Sequence, residues 1–201
     1  MKYIKWGFCL FLIIVFAFFY AHVDVKSYIY DRNLDTGDYG VTGIESNVSI
    51  KQKFISSEKV IKKIQIKGSI SGDVSVYNNK MIQYSIEDEK GNLIESHEIA
   101  LKKFENNQFV ELEFDKLNDC KNKELTLVLE ESGMKTGVGI SFYFTPTIED
   151  GTEFIVNNNQ TEGTLVMRTV VHKFDIETFI IVLCFAIYLL LFLKLLYKLF
   201  R

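Results

Sequence analysis

The chain has 201 residues, with 23 Lys and Arg set against 26 Asp and Glu, for a formal charge of −3. No run of Lys and Arg marks a nucleic-acid surface, so no nucleic-acid partner is expected. Of three cysteines, Cys9 and Cys184 fall in apolar end segments and only Cys120 lies between them. The middle therefore forms no internal disulfide and must be held by an apolar core.

The first element is the apolar run from Trp6 to Val23 (WGFCLFLIIVFAFFYAHV), preceded by Lys2 and Lys5. A helix needs about 20 apolar residues to cross a bilayer, with a lower limit near 17. Residues 1–24 read as a transmembrane signal anchor. A cleaved signal peptide would want an Ala-x-Ala-like site. Here Ala21 is preceded two residues earlier by Phe19, and Ala17 by Val15, so the uncleaved anchor is preferred.

Residues 25–46 read as a juxtamembrane linker containing DRNLDTGDYG. Asp31, Asn33 and Asp35 are spaced as the first three oxygen ligands of a calcium loop. The match then fails, with Thr36 where the sharp turn wants Gly and Thr42 where a bidentate Glu would close the site. The stretch reads first as Asp and Asn making local turns. If Ca2+ is held, its ligands are Asp31, Asn33, Asp35 and Asp38.

From Asn47 to His172 the apolar residues alternate with period two, as in half-buried strands. Ile50, Gln52 and Phe54 share one face; Ile64 and Ile66 continue a face begun at Val60. Ile82, Tyr84 and Ile86 follow, then a turn at Gly91 and Asn92. Further strands place Leu112 and Phe114, then Leu125, Leu127 and Leu129, then Ile140, Phe142 and Phe144. TEFIV and GTLVMRTVVHK supply the last strands. No stretch between the apolar ends has helical periodicity over three turns. Residues 47–172 are thus expected to form a β-sandwich or jelly roll. The only Trp is Trp6 and the middle holds a single Cys, so the Cys pair and Trp of an immunoglobulin domain are absent, which disfavours that fold.

Residues 173–201 read as a second transmembrane helix with a short basic tail of Lys194, Lys198 and Arg201. Positive charges near membrane-segment ends stay on the cytoplasmic side. Both termini are therefore expected in the cytoplasm, with the all-β domain outside, in a two-pass cell-membrane protein.

The succession I50-x-Q52-x-F54, Q83-Y84-S85-I86-x-D88-x-x-G91, L125-T126-L127-x-L129-E130 and G139-I140-S141-F142-Y143 resembles the galactose-binding-like jelly-roll domains of bacterial envelope proteins. The resemblance covers about residues 40 to 172. It implies a carbohydrate-binding-like fold beside membrane segments, in systems that make or modify surface polysaccharide. It transfers no ligand residue.

Tyr77, Asn78 and Asn79, with Asn158 in a second Asn-rich loop, offer an aromatic platform and amides of the kind that bind sugars. Ordinary turns explain the same residues. Adjacent acids such as Glu130 and Glu131 point to opposite strand faces and form no dyad. His22, His97 and His172 are not spaced as a zinc set, and no Gly-x-Ser-x-Gly elbow occurs. No enzyme is expected. The sequence favours a membrane-anchored, extracytoplasmic binding protein whose partners are the membrane and a cell-surface glycan. The alternative is an accessory subunit docking through its helices on a polytopic membrane protein.

Overall fold

A computed structural model describes residues 2–43, 47–73, 80–115, 117–133 and 137–200 of the protein. Tyr77, Asn78 and Asn79 lie outside the described residues. The elements run α1 (Lys2–Tyr20), β1 (His22–Tyr28), β2 (Gly40–Val41), β3 (Asn47–Ile55), β4 (Lys63–Ser71), β5 (Met81–Asp88), β6 (Leu93–Ala100) and β7 (Gln108–Glu113). They continue as β8 (Glu124–Ser132), β9 (Gly139–Thr145), β10 (Glu153–Val156), β11 (Asn159–Thr161), β12 (Thr164–Leu165), β13 (Met167–Phe174) and α2 (Ile176–Leu199). The chain separates into two units: Met1–Val25 with His172–Arg201, and Lys26–Val171.

In the first unit, α2 is capped by Asp175, whose carboxylate accepts from the Thr178 backbone N–H at 3.0 Å. This satisfies one of the free amides of a helix start. The Asp175 N–H in turn donates to Ala21 O at 2.8 Å, and Phe174 packs on Phe18 and Phe179. His172 Nδ1 lies 2.9 Å from Asp24 Oδ1. Among the described residues one helix, Ile176–Leu199 with mean hydropathy 2.9, is long and apolar enough to cross a membrane. The expectation of two such helices is corrected to one. The first helix stops at Tyr20, because the chain turns at Ala21 and enters β1, and its described apolar stretch is only Leu10–Tyr20.

The second unit is mostly β, in two antiparallel sheets. Five strands of the seven-stranded sheet run β1-β13-β4-β9-β12, with β2 added on β9 and β7 on β4; the six-stranded sheet runs β11-β10-β3-β8-β5-β6. The chain alternates between the sheets, with β3 in one and β4 in the other, β5 and β6 back in the first, then β7 and β8 in turn. The alternation read from the sequence is the reason. Ile50 and Phe54 on β3, Leu127 on β8, Ile64 and Ile66 on β4 and Phe142 on β9 are all buried in one apolar cluster. Residues expected as linker, 25–46, contribute β1 and β2, and Ile29 packs against that cluster.

Two polar side chains bridge the sheets inside the core. Gln52, fully buried, accepts from the Leu165 N–H at 2.7 Å, while its amide donates to Lys53 O and Glu153 O. Nearer one end, Glu131 on β8 accepts from the Ile140 N–H on β9 at 3.3 Å through Oε2, whereas its buried Oε1 has no partner. Gly139 makes room for that carboxylate. A Cβ there would lie 2.6 Å from Glu131 Oε1, and its φ of +153° is one that only glycine adopts freely.

Burial pushes the Glu131 carboxyl above its ordinary value of 4.5, since the charged form is the one that loses solvation. The native state therefore holds a proton that the unfolded chain releases. Stability is fullest below the ordinary value and declines as pH rises through the raised one. Urea denaturation across this window is expected to show that slope in the wild type and not in Glu131→Gln. At neutral pH the variant should be more stable by on the order of 1 kcal/mol, because a neutral amide still accepts from Ile140. Parallel pH profiles for the two proteins would contradict this.

Candidate ligand-binding face

Strand β4 is buried on both faces. Ile64 and Ile66 point into the core, yet the alternate residues Gln65 and Lys67 each retain only 8% of their accessible surface. Polar residues on the outward side of a sheet are usually solvated. Here they lie beneath aromatic side chains brought from distant parts of the chain: Tyr28 and Tyr30 at the end of β1, Tyr39 before β2, Phe109 on β7 and Tyr143 on β9.

The rings and cations interleave. The Lys67 ammonium sits 5.3 Å from the Tyr39 ring centroid and 5.2 Å from that of Tyr143. Both distances are within cation–π range, an attraction of about 0.5–2 kcal/mol per pair. The Arg168 guanidinium lies 3.9 Å over Phe109 and 5.6 Å from Tyr28. Its Nε donates to Gln65 Oε1 at 2.6 Å. Gln65 then donates to Glu111 at 2.7 Å, and Lys63 donates to the other Glu111 oxygen at 3.0 Å. Arg32 approaches Tyr28 from the loop, at 5.5 Å. Tyr30 packs edge-on against Tyr28 and Tyr39.

Cross-strand register sets this pattern. Arg168 is opposite Gln65, Glu111 is opposite Gln65 on the other side, and Phe109 is opposite Lys67. All five therefore project from the same side of the sheet. Val166 marks a fork: its N–H donates to Tyr143 O, and its carbonyl accepts from the Lys67 N–H. At this point the β12–β13 chain lies between β4 and β9, which pair with each other from Gly68 and Phe142 onward. A groove of about 530 Å3 adjoins the face through Phe109 and Glu111, and is further lined by Tyr84, Glu98 and Lys103.

The residues singled out from the sequence go elsewhere. Asn158 occupies the exposed tip of the β10–β11 hairpin, where Asn157 and Asn158 have φ of 50° and 65°. That pair makes the two-residue turn, a position asparagine tolerates. The Asn157 side chain accepts from the Ser49 N–H, fixing the turn to β3. Asp31 and Asp35 each turn back to accept from a backbone N–H two residues on, those of Asn33 and Gly37. Asn33, Asp35 and Asp38 are exposed. Among the described residues no group of three or more His, Cys, Asp or Glu is arranged to hold a metal ion.

Cys120 is buried, and burial pushes its thiol pKa up, so it is held as the unreactive thiol. It borders a cleft of about 370 Å3 with Asp88, Lys90 and Lys123. Asp88 itself closes the β5–β6 turn by accepting from the Lys90 and Asn92 N–H groups.

The aromatic face was not found from the sequence. Its one local signal is the tyrosine content of an otherwise polar stretch, with Tyr28, Tyr30 and Tyr39 around the Asp- and Gly-rich turns.

No protein-family model matches the chain, and no curated protein matches it. Among solved structures, the chain is similar to the crystal structure of the cysteine protease and lectin-like domains of Cwp84, a surface layer associated protein of Clostridium difficile. The two share 8% identity at a TM-score of 0.38, over 68% of this chain and 36% of that one. This chain thus spans about a third of that protein's length. Residue roles do not transfer at such a distance.

Burial and the neighbouring Tyr39 raise the Tyr30 hydroxyl to a pKa of about 12. A raised native pKa means that stability is complete below the ordinary value of 10.0 and is lost as pH rises toward 12. Tyr30→Phe, which cannot ionise, is expected to lose less stability over that alkaline window in thermal melts. Equal alkaline losses in both proteins would show that Tyr30 is not held in the packed face.

Proposed function

We propose that the protein is a membrane-anchored, non-catalytic β-sandwich that binds carbohydrate on the outer face of its seven-stranded sheet. The observation that carries this reading is the set of tyrosine and phenylalanine rings interleaved with Lys67, Arg168, Gln65 and Glu111 on one sheet face. Sugars present apolar C–H faces that stack on rings, and hydroxyls that need donors and acceptors close by. The face offers both chemistries, and the adjoining groove is within the size range of small-ligand sites, about 300–1,000 Å3.

Membrane anchoring through α2 is supported by its length and hydropathy. A position of the sandwich on the outer side of the membrane is supported by Lys194 and Lys198 at the far end of α2, since basic residues there favour a cytoplasmic end. A galactose-binding-like jelly roll is the specific sandwich proposed, supported by the repeated crossing of the chain between the two sheets. The natural ligand on this reading is a polysaccharide of the cell envelope.

Full-length protein in detergent or nanodiscs, screened against envelope polysaccharides, is expected to bind at least one. Tyr39→Ala and Tyr143→Ala should each weaken that binding about five- to tenfold, the equivalent of one lost ring contact. Lys59→Gln, on an exposed lysine paired only with Asp119, should leave it unchanged. Failure to bind any polysaccharide, or equal binding by the tyrosine variants once thermal melts show them folded, would overturn the proposal.

A further inference from the structure

The carbohydrate reading of this face leaves the charge of the ligand open, and Lys67 narrows it. Its Nζ has three N–H donors and stands between two rings. Ring faces attract a cation but do not accept its hydrogen bonds as oxygen does. The neighbouring cations are differently placed. Lys63 is bonded to Glu111, and Arg168 to Gln65 and, at 3.5 Å, to the Tyr28 hydroxyl. Among the described residues no carboxylate or carbonyl accepts from Lys67. Burial is the cause that lowers its pKa, with no acidic group opposing it.

The Lys67 stem is covered, while Nζ is not among the fully buried unpartnered atoms, so the ammonium tip stays within reach of solvent and of a ligand. Sheet geometry holds it there, since Lys67 is opposite Phe109 of β7 on one side and its N–H donates to Val166 O on the other, and the two tyrosines flank the side chain. We propose that the glycan bound on this face is acidic, and that a carboxylate or phosphate group of the sugar docks on the Lys67 ammonium between Tyr39 and Tyr143. The anion supplies the acceptors that the protein omits, and the ionised pair is stronger than a hydroxyl–ammonium contact. The rings hold the C–H face of the same sugar, while Arg168 and Gln65, one step across the sheet, meet its neighbouring hydroxyls. A neutral glycan would stack on the same rings and leave the ammonium uncompensated.

This inference rests on the carbohydrate reading, and the two are separable by one titration series. Full-length protein in nanodiscs is titrated with oligogalacturonate and with its fully methyl-esterified form, which has the same backbone and no charge. A phosphorylated mannan fragment and its dephosphorylated form make the parallel pair. In at least one pair the acidic member is expected to bind ten-fold or more tightly than its neutral counterpart, and to weaken as salt is raised. The pair that shows the preference distinguishes carboxylate from phosphate. Lys67→Met should abolish the preference, and Lys67→Arg should restore part of it. Equal binding of acidic and neutral members by the wild type overturns the acidic inference and leaves carbohydrate binding intact. A preference that survives Lys67→Met overturns the role of Lys67. Binding of neither pair, together with failure in the wider polysaccharide screen, removes both readings.

Discussion

Gln52 Oε1 accepts the Leu165 amide across the sandwich at 2.7 Å, and the placement of the two sheets depends on that bond. Gln52 is fully buried, where an amide without partners would cost several kcal/mol. Here the side-chain carbonyl and the NH2 are both satisfied, one by the opposite sheet and the other by Lys53 O and Glu153 O. The amide thus fixes Leu165 at one height above β3. Because side chains alternate along a strand, fixing Leu165 also fixes Arg168 on the outer face, and Met167 and Thr169 on the buried one. A slip of one residue would turn Arg168 into the core and leave Phe109 and Gln65 without it. The candidate face is therefore built from inside the sandwich outward.

The same logic explains the crowding around β4. It pairs with β13 and then with β9 on one side, and with β7 on the other. The fork at Val166 brings residues more than 100 positions apart in sequence onto the same patch. Aromatic rings then shield Gln65 and Lys67, whose charges and amides are matched by Glu111 and Arg168 with one exception, the Lys67 ammonium. The face is thus drier than an ordinary solvated sheet, with one cation left to its rings.

Much of the fold was legible in the sequence, because core strands write their burial as alternation. Ile50, Gln52 and Phe54 read correctly as one face, as did Leu125, Leu127 and Leu129. What Gln52 does there was not legible, since an amide on a core face looks like an interruption until its partner at Leu165 is known. The candidate face was hidden for a related reason. Lys63, Gln65 and Lys67 have the pattern of a wet strand face, and only long-range packing makes it dry. Among the turn residues, the Asp31 and Asp35 carboxylates close local turns and the Asn157–Asn158 backbone makes the β10–β11 turn. The first apolar segment was read further than its helix runs: Ala21, His22 and Val23 belong to the turn and β1, and among the described residues the apolar stretch of α1 is Leu10–Tyr20.

Amide hydrogen exchange of the full-length protein, measured with and without a bound envelope polysaccharide, tests the central claim most directly. The account predicts protection concentrated on the seven-stranded sheet, in β4, β7, the start of β13 and the segment around Tyr39. Protection confined to the β10–β11 turn at Asn158, or to the six-stranded sheet, would contradict it.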